Sequence, residues 1–415
     1  MTYCITSGYV RQLGKFSCIA HKFILPYNRF MHTKITDSVF NVGVNDHLTT
    51  LFESQYPIPQ GISYNSYIIM DEKIAVLDTV DERFGDEWML NVTQALGVRK
   101  PDFLIVHHME CDHSANIERF MLMFPQAKIV LSNAALNMTK QFFANDFSDR
   151  SVIIKEGSTL ELGQHTLHFI AAPLVHWPEV MMSYDDKDKI FFSADAFGRF
   201  GANDTTASLA WKDEARRYYI GIVGKFGAQV QAVLKKAASL DIATICSLHG
   251  PVLTNALSEY INLYDTWSSY RPETDGVLVA YTSVYGHTKK AVDVLMQQLS
   301  GHLKKAEVVN LAECDLSQAV ALAFKYSKVV FATTTYNGSI FPAMNDFVSR
   351  LLEHNFSNRT VGIIENGSWA PTAAKVLKEK LAEAKNLTIL EPTVTIKSAL
   401  NATSLGKLAE LAQKL

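Results

Sequence analysis

The sequence predicts a two-part α/β protein: strand-rich sheets covered by helices over residues 34–272, then a doubly wound parallel sheet over residues 273–415. Three observations carry this. Up to about Ala256, short apolar runs closed by turn residues alternate irregularly with stretches whose apolar residues recur three and four apart. A polar run with Pro and Gly, Ser268-Ser269-Tyr270-Arg271-Pro272-Glu273-Thr274-Asp275-Gly276, then interrupts the pattern and sets the domain boundary. Beyond it, buried strand and helix alternate strictly, the texture of a parallel sheet that binds ligands at its strand C-termini. At 415 residues and 48% hydrophobic content the chain is long enough to bury two such cores.

Taken in order, residues 1–33 read as an extension. Residues 1 to 36 contain no Asp or Glu but carry Arg11, Lys15, Lys22, Arg29 and Lys34, so they read as an organelle-targeting leader or as a flexible segment before a domain that begins near Thr33. The first reading places the protein in a mitochondrion-related organelle and the second in the cytoplasm. Tyr67 to Met70, Ile74 to Leu77, Phe103 to Val106 and Lys128 to Leu131 then read as strands, with Asp86 to Leu96 and Ser114 to Phe124 as helices. Many strands with helices interspersed favour covered sheets over a bundle. After a helical pattern from residue 257, the second part runs Val277 to Tyr281 (strand), Thr288 to Leu299 (helix), Lys328 to Ala332 (strand), Ala343 to Leu352 (helix) and Val361 to Glu365 (strand).

Composition excludes several function classes. A net charge of −3, from 39 basic and 42 acidic side chains spread without blocks, lacks the electrostatic footprint of a nucleic-acid binder. Charged, Gly or Pro residues interrupt every apolar run before the roughly 20 residues needed to span a bilayer, so no membrane segment is expected. Cys4, Cys18, Cys111, Cys246 and Cys314 stand singly, with no CxxC pair for a disulfide framework or a zinc knuckle, and a reducing compartment fits best.

Chemistry is concentrated in Phe103-Leu104-Ile105-Val106-His107-His108-Met109-Glu110-Cys111-Asp112-His113-Ser114, where an apolar strand runs into imidazoles and carboxylates. In an extended backbone alternate side chains share a face, so His108, Glu110 and Asp112 are expected to point together, with His113 turned by the start of a helix. Polar groups at this density beside a buried strand are costly unless a partner satisfies them, and a metal ion is such a partner. His176, Asp195 and His249 each follow an apolar run in the same way, which converges them on one sheet edge. Any one of the three alone reads as a structural histidine or a turn-forming Asp. Three or four imidazoles with three carboxylates are richer in oxygen than a structural zinc site, so iron or manganese is expected, and one Asp could bridge two ions.

In the second part, the strand Val277 to Tyr281 leads into Thr282-Ser283-Val284-Tyr285-Gly286-His287-Thr288 at a helix start, where hydroxyls and free backbone N–H groups suit a phosphate. A Ser/Thr-rich capping turn is the alternative for this segment alone. Two later strand ends add Thr335-Tyr336-Asn337-Gly338 and Asn366-Gly367-Ser368-Trp369. Tyr336 and Trp369 offer flat faces for an isoalloxazine, unless both belong to the core. Together the three loops point to FMN.

The motif His108-Met109-Glu110-Cys111-Asp112-His113 resembles the HxExDH pattern of the flavodiiron proteins, in which Glu replaces the second His of the metallo-β-lactamase HxHxDH. The resemblance runs from about residue 34 to the end. It implies a metallo-β-lactamase-like αββα sandwich followed by a flavodoxin-like domain, with FMN and two iron ions as cofactors. His108, Glu110 and His176 would hold one iron, Asp112, His113 and His249 the other, and Asp195 would bridge, while His107 would be a neighbour. Family members differ at the position of His113. The Thr282–Thr288, Thr335–Gly338 and Asn366–Trp369 segments resemble the flavin loops, with Thr334 standing where Pro is usual. The implied activity is reduction of O2 to water, of NO to N2O, or both, by a homodimer or dimer of dimers fed by rubredoxin or a flavoprotein reductase. The rival reading is a zinc hydrolase of the metallo-β-lactamase type fused to an electron-carrier flavodoxin domain. Glu110 argues against it.

Overall fold

A computed structural model describes residues 33–205, 211–301 and 305–415, and the extension expected over residues 1–33 lies outside them except for Thr33. The first part is a sandwich. One sheet orders its strands Thr33–Lys34, Val39–Asn41, Tyr67–Met70, Ile74–Leu77, Phe103–Ile105, Lys128–Ser132 and Ser151–Ile154. The other runs Thr159–Glu161, Thr166–Ala171, Met181–Asp185, Ile190–Phe192 and Thr244–Cys246. Alternation of side chains explains why both faces of each sheet are apolar. Tyr67, Ile69, Ala75, Leu77, Ile105 and Val130 meet Leu167, Phe169, Met181, Ile190 and Phe192 of the facing sheet in one cluster. Ile68, Ile74, Val76, Leu104, Ile129 and Leu131 point the other way, under the helices Gly85–Leu96 and Ile117–Met123, whose Trp88, Val92 and Phe120 are fully buried.

The second part is a sheet of parallel strands ordered Ala306–Asn310, Thr274–Tyr281, Tyr326–Tyr336, Thr360–Asn366 and Thr388–Ile389. Sequence order reverses beside the strand Thr274–Tyr281, the switch point where doubly wound sheets bind ligands. Val277, Val279 and Tyr281 pack on one face and Leu278 and Ala280 on the other, so helices cover both. Those helices are His287–Leu299 and Ala402–Lys414 on one side, and Leu316–Lys325 and Pro342–Glu353 on the other.

One element differs from the expectations. The helix expected over Ser114 to Phe124 is two pieces, Cys111–Ser114 and Ile117–Met123. Within the polar run Ser268 to Gly276, read as the domain boundary, the strand Thr274–Tyr281 begins, and the side chain of Glu273 is buried against Arg216 of the helix Trp211–Tyr218. The Trp267 indole also donates to Glu273, at 2.7 Å. This buried Arg–carboxylate fork pins the two parts together at the boundary.

Candidate metal centre and flavin cleft

Each expected metal-binding side chain is carried to one end of the sandwich by a strand that stops just before it. Phe103–Ile105 ends ahead of His108, Thr166–Ala171 ahead of His176, Ile190–Phe192 ahead of Asp195, and Thr244–Cys246 ahead of His249. The first segment departs from the expected alternation. Glu110 is extended, at φ −60° and ψ 143°, but the helix starts at Cys111, so Asp112 leaves the row of His108 and Glu110 and turns with His113. The change of backbone sorts seven side chains into two groups. His108, Glu110, His176 and Asp195 form one and Asp112, His113 and His249 the other, with the ligand atoms of each group within 4.8 Å of one another.

Asp195 joins them. Its Oδ2 lies 3.1 Å from His176 Nε2 and 3.4 Å from His108 Nε2, while its Oδ1 lies 3.2 Å from His113 Nε2 and 3.7 Å from His249 Nε2. Glu110 Oε2 completes the first group at 2.9 Å from His176 Nε2 and 3.2 Å from His108 Nε2. Asp112 Oδ2 completes the second at 3.4 Å from both His113 Nε2 and His249 Nε2. The chemistry of the donors fits a pair of cations. His113 and His249 bring their Nε2 atoms within 3.1 Å, and the buried Asp112 Oδ1, Asp112 Oδ2 and Asp195 Oδ1 have no hydrogen-bond partner. Buried carboxylate oxygens without donors are expensive unless a cation satisfies them. A donor set of imidazole and carboxylate without thiolate matches iron or manganese better than structural zinc.

Outer partners orient the rings. Glu179 Oε1 lies 2.8 Å from His108 Nδ1, and the Ser63 carbonyl lies 2.7 Å from His249 Nδ1, so each ring donates its Nδ1 proton outward and presents Nε2 to the cluster. His113 Nδ1 has no such partner although the ring is fully buried. His107 is a neighbour. Its Nδ1 is taken by Asp78 Oδ2 at 2.6 Å and its Nε2 by Ser183 at 2.8 Å. Sequence reading missed Glu179, Ser63, Asp78 and Tyr218, which are far apart in the chain and carry no local motif. The Tyr218 ring sits 5.4 Å from that of His249, and its buried hydroxyl lacks a partner.

Electrostatics follow from this crowding. Burial opposes the charge on His176, but hydrogen bonds to Asp195 and Glu110 outweigh it and hold the imidazolium up at about 9. Burial likewise opposes ionisation of Asp195, yet His108 and His113 hold its carboxyl well below the usual range. A raised folded-state value for His176 means stability that is full below 6.5 and is lost as pH climbs through about 9. Metal-free protein should therefore melt at progressively lower temperature over that window, while metal binding should tighten with pH and release protons. Melting curves with a pH-indicator assay of metal addition check this. A melting temperature flat across the window with no proton release would show that His176 carries no such charge.

The three loops expected to hold a flavin gather at the C-terminal ends of the parallel strands around a cavity of about 570 Å³. Ser283, Tyr285, His287, Thr288, Thr335, Tyr336, Asn337, Gly338, Asn366, Gly367, Ser368 and Trp369 line it. Thr282 does not reach it, because it is fully buried and its hydroxyl bonds Thr333 at 2.8 Å. Gly286 is not in the lining but shapes the loop from behind at φ +85°, its N–H donating to Ser283 Oγ at 3.1 Å. The core alternative for the aromatics fails for Trp369, which is 92% exposed, and for Tyr336, at 46%. Sequence reading also missed Ser398, whose backbone exchanges hydrogen bonds with Asn366 at 3.1 and 3.2 Å and whose hydroxyl meets Ser368 at 2.7 Å. Its surroundings, Lys397-Ser398-Ala399, contain neither Gly nor an aromatic to signal a loop.

Comparison with known proteins agrees with both halves. A family model described as "ODP family beta lactamase" matches residues 62–250, and one described as "Flavodoxin domain" matches residues 278–398. A nitric oxide reductase of Moorella thermoacetica is 27% identical over 92% of this chain and 97% of its own length. An anaerobic nitric oxide reductase flavorubredoxin of Vibrio vulnificus is 26% identical over 85% of this chain and 74% of its own. Among solved structures, rubredoxin oxygen:oxidoreductase of Desulfovibrio gigas superposes with a TM-score of 0.84 at 24% identity, covering 92% of this chain and 97% of that one, which shows the same fold. No described helix is long and apolar enough to cross a membrane.

Proposed function

Since the chain belongs to the flavodiiron proteins, an oxidoreductase family, we propose that it reduces O2 to water, NO to N2O, or both, at two iron ions fed by FMN. The observation that supports this most is the division of Asp195, one oxygen toward each cluster of candidate ligands. His108, Glu110 and His176 would hold one iron and Asp112, His113 and His249 the other. The loops Ser283–Thr288, Thr335–Gly338 and Asn366–Trp369 would hold FMN. When bound, the flavin supplies electrons one or two at a time and the iron pair takes up the small substrate.

The protein's own part is positioning, exclusion of water and hydrogen bonding. Glu179 and the Ser63 carbonyl fix ring orientation, and Phe52, at 5.5 Å from the His249 ring, walls the centre with apolar surface. Burial and the charges of Asp195 and Asp112 keep Tyr218 a neutral phenol, a hydrogen-bond donor beside the centre. Tyr218→Phe should lower kcat by about tenfold to a hundredfold. It should leave melting unchanged or raise it, since an unsatisfied buried hydroxyl costs roughly 1–3 kcal/mol. Destabilisation with full kcat would assign the hydroxyl a structural role instead.

The proposal extends to a homodimer or dimer of dimers served by a flavoprotein reductase or by rubredoxin, the donor that two relatives' names mention. The test is anaerobic metal and flavin analysis, then reaction of the reduced protein with O2 and with NO. Iron in both clusters, bound FMN and turnover of either gas support the reading, and the two rates set the preference. Zinc without flavin would sink it.

A further inference from the structure

The wall of the centre formed by Phe52 belongs to a short hairpin, in which Phe52 and Tyr56 are buried and the Tyr56 hydroxyl donates to the Gly221 carbonyl at 3.0 Å. Its strands, Leu51–Phe52 and Tyr56–Pro57, pair over two residues each, and Glu53 and Ser54 at the tip both have positive φ. A two-stranded ribbon of this size is not stable by itself and needs anchoring from outside. Beside Tyr56, the anchor that reaches the flavodoxin part is Arg217, almost fully buried on the helix Trp211–Tyr218. Its Nη1 donates to the Pro57 carbonyl at 3.0 Å and to Ser317 Oγ at 3.1 Å, and it lies 3.5 Å from Asp315 Oδ2. Asp315 caps the helix Leu316–Lys325 of the flavodoxin part, so one guanidinium ties the hairpin to the other half of the chain. Glu214 holds the fork from behind at 2.6 Å.

The same guanidinium lies over the Phe200 ring, 4.4 Å from its centroid. Phe200 packs on Phe52 at 5.7 Å, and Phe52 meets His249 edge-on at 5.5 Å. Hydrogen bonds and ring contacts thus run without a gap from the flavodoxin part to a candidate metal ligand. We propose that Arg217 is a positioning residue that locks the hairpin over His249 by docking it on the flavodoxin part, so that the interface between the halves sets the geometry of the second metal cluster. The link from hairpin to interface stands on contacts alone; its consequence for a metal rests on the diiron reading.

The test uses full-length protein carrying Arg217→Met, which keeps an aliphatic stack over Phe200 and removes the fork. In metal-free protein, hydrogen exchange of the amides over residues 51–58 should accelerate about tenfold or more, with flavin content and exchange in the parallel sheet unchanged. After loading with Co²⁺ alone, the visible d–d bands should shift relative to wild type. Arg217→Lys should not rescue either change, because a single ammonium cannot serve Pro57, Ser317 and Glu214 in one plane. Wild-type exchange over residues 51–58 in Arg217→Met overturns the proposal, as does a loosened hairpin with unaltered Co²⁺ bands. Failure of wild type to bind Co²⁺ overturns the metal reading instead, and the exchange result then decides the hairpin link separately. Should Arg217→Met not fold, Ser317→Ala removes one contact from the flavodoxin side. It should move both readouts the same way by a smaller amount, and no change in either overturns the proposal.

Discussion

Asp195→Asn is expected to cost turnover about a thousandfold or more and to empty at least one of the two metal clusters. The amide keeps the volume and most hydrogen-bonding capacity of the carboxylate, so the fold should survive. What disappears is the charge that faces His176 and His108 through one oxygen and His113 and His249 through the other. Both Asp195→Asn and Asp195→Ala should destabilise the metal-free protein, by about 3–5 kcal/mol, because charged imidazoles lose a buried counter-ion, and the Ala variant should be the less stable of the two because it also leaves a cavity. Metal content by elemental analysis, the melting temperature and steady-state turnover check the pair of variants. Two metals per chain and wild-type turnover in Asp195→Asn would rule out a bridging role.

Gly286→Val is expected to strip the flavin while leaving the metal clusters intact. Gly286 occupies φ +85° at the entry to the helix His287–Leu299, a conformation a β-branched residue adopts only with strain. Open space surrounds the position where a Cβ would be added, so the effect is conformational and not steric. Relaxing φ would turn the backbone N–H groups of the loop away from the phosphate and break the bond from Gly286 N to Ser283. A penalty of about 1–2 kcal/mol for the left-handed region converts to roughly five- to thirtyfold weaker FMN binding, before the loss of phosphate contacts is added. Flavin fluorescence titration of stripped protein measures it. Gly286→Ala should fall between, and unchanged FMN affinity in Gly286→Val would show that the loop does not hold the phosphate.

The sheets were legible because both periods, 2 in the strands and 3.6 in the helices, are written in short windows. Val277 to Tyr281 and Lys128 to Leu131 needed no tertiary information to be read as strands. The seven candidate ligands were legible for a related reason: a polar side chain directly after an apolar strand is rare enough to be noticed. The same logic misled at Asp112, where strand-like alternation was extended one turn too far into the helix Cys111–Ser114. Local reading also carried no sign that Glu273, in the polar run at the domain boundary, has its carboxylate claimed by a buried arginine 57 positions away.

By itself, then, the sequence determined the two sheet architectures, the residues that strands deliver to the sandwich edge and the three glycine- and aromatic-bearing loops that line one cleft at the strand ends. All of these depend on neighbours within a few residues. Only the tertiary structure decided how the candidate ligands divide between two clusters, that Asp195 faces both, that Glu179 and the Ser63 carbonyl orient two of the rings, and that Arg217 joins the hairpin to the flavodoxin part. The contacts of Glu179, the Ser63 carbonyl and Arg217 link positions 71 to 186 residues apart. No local period encodes a contact over that distance; it exists only after both sheets have folded and brought their ends together.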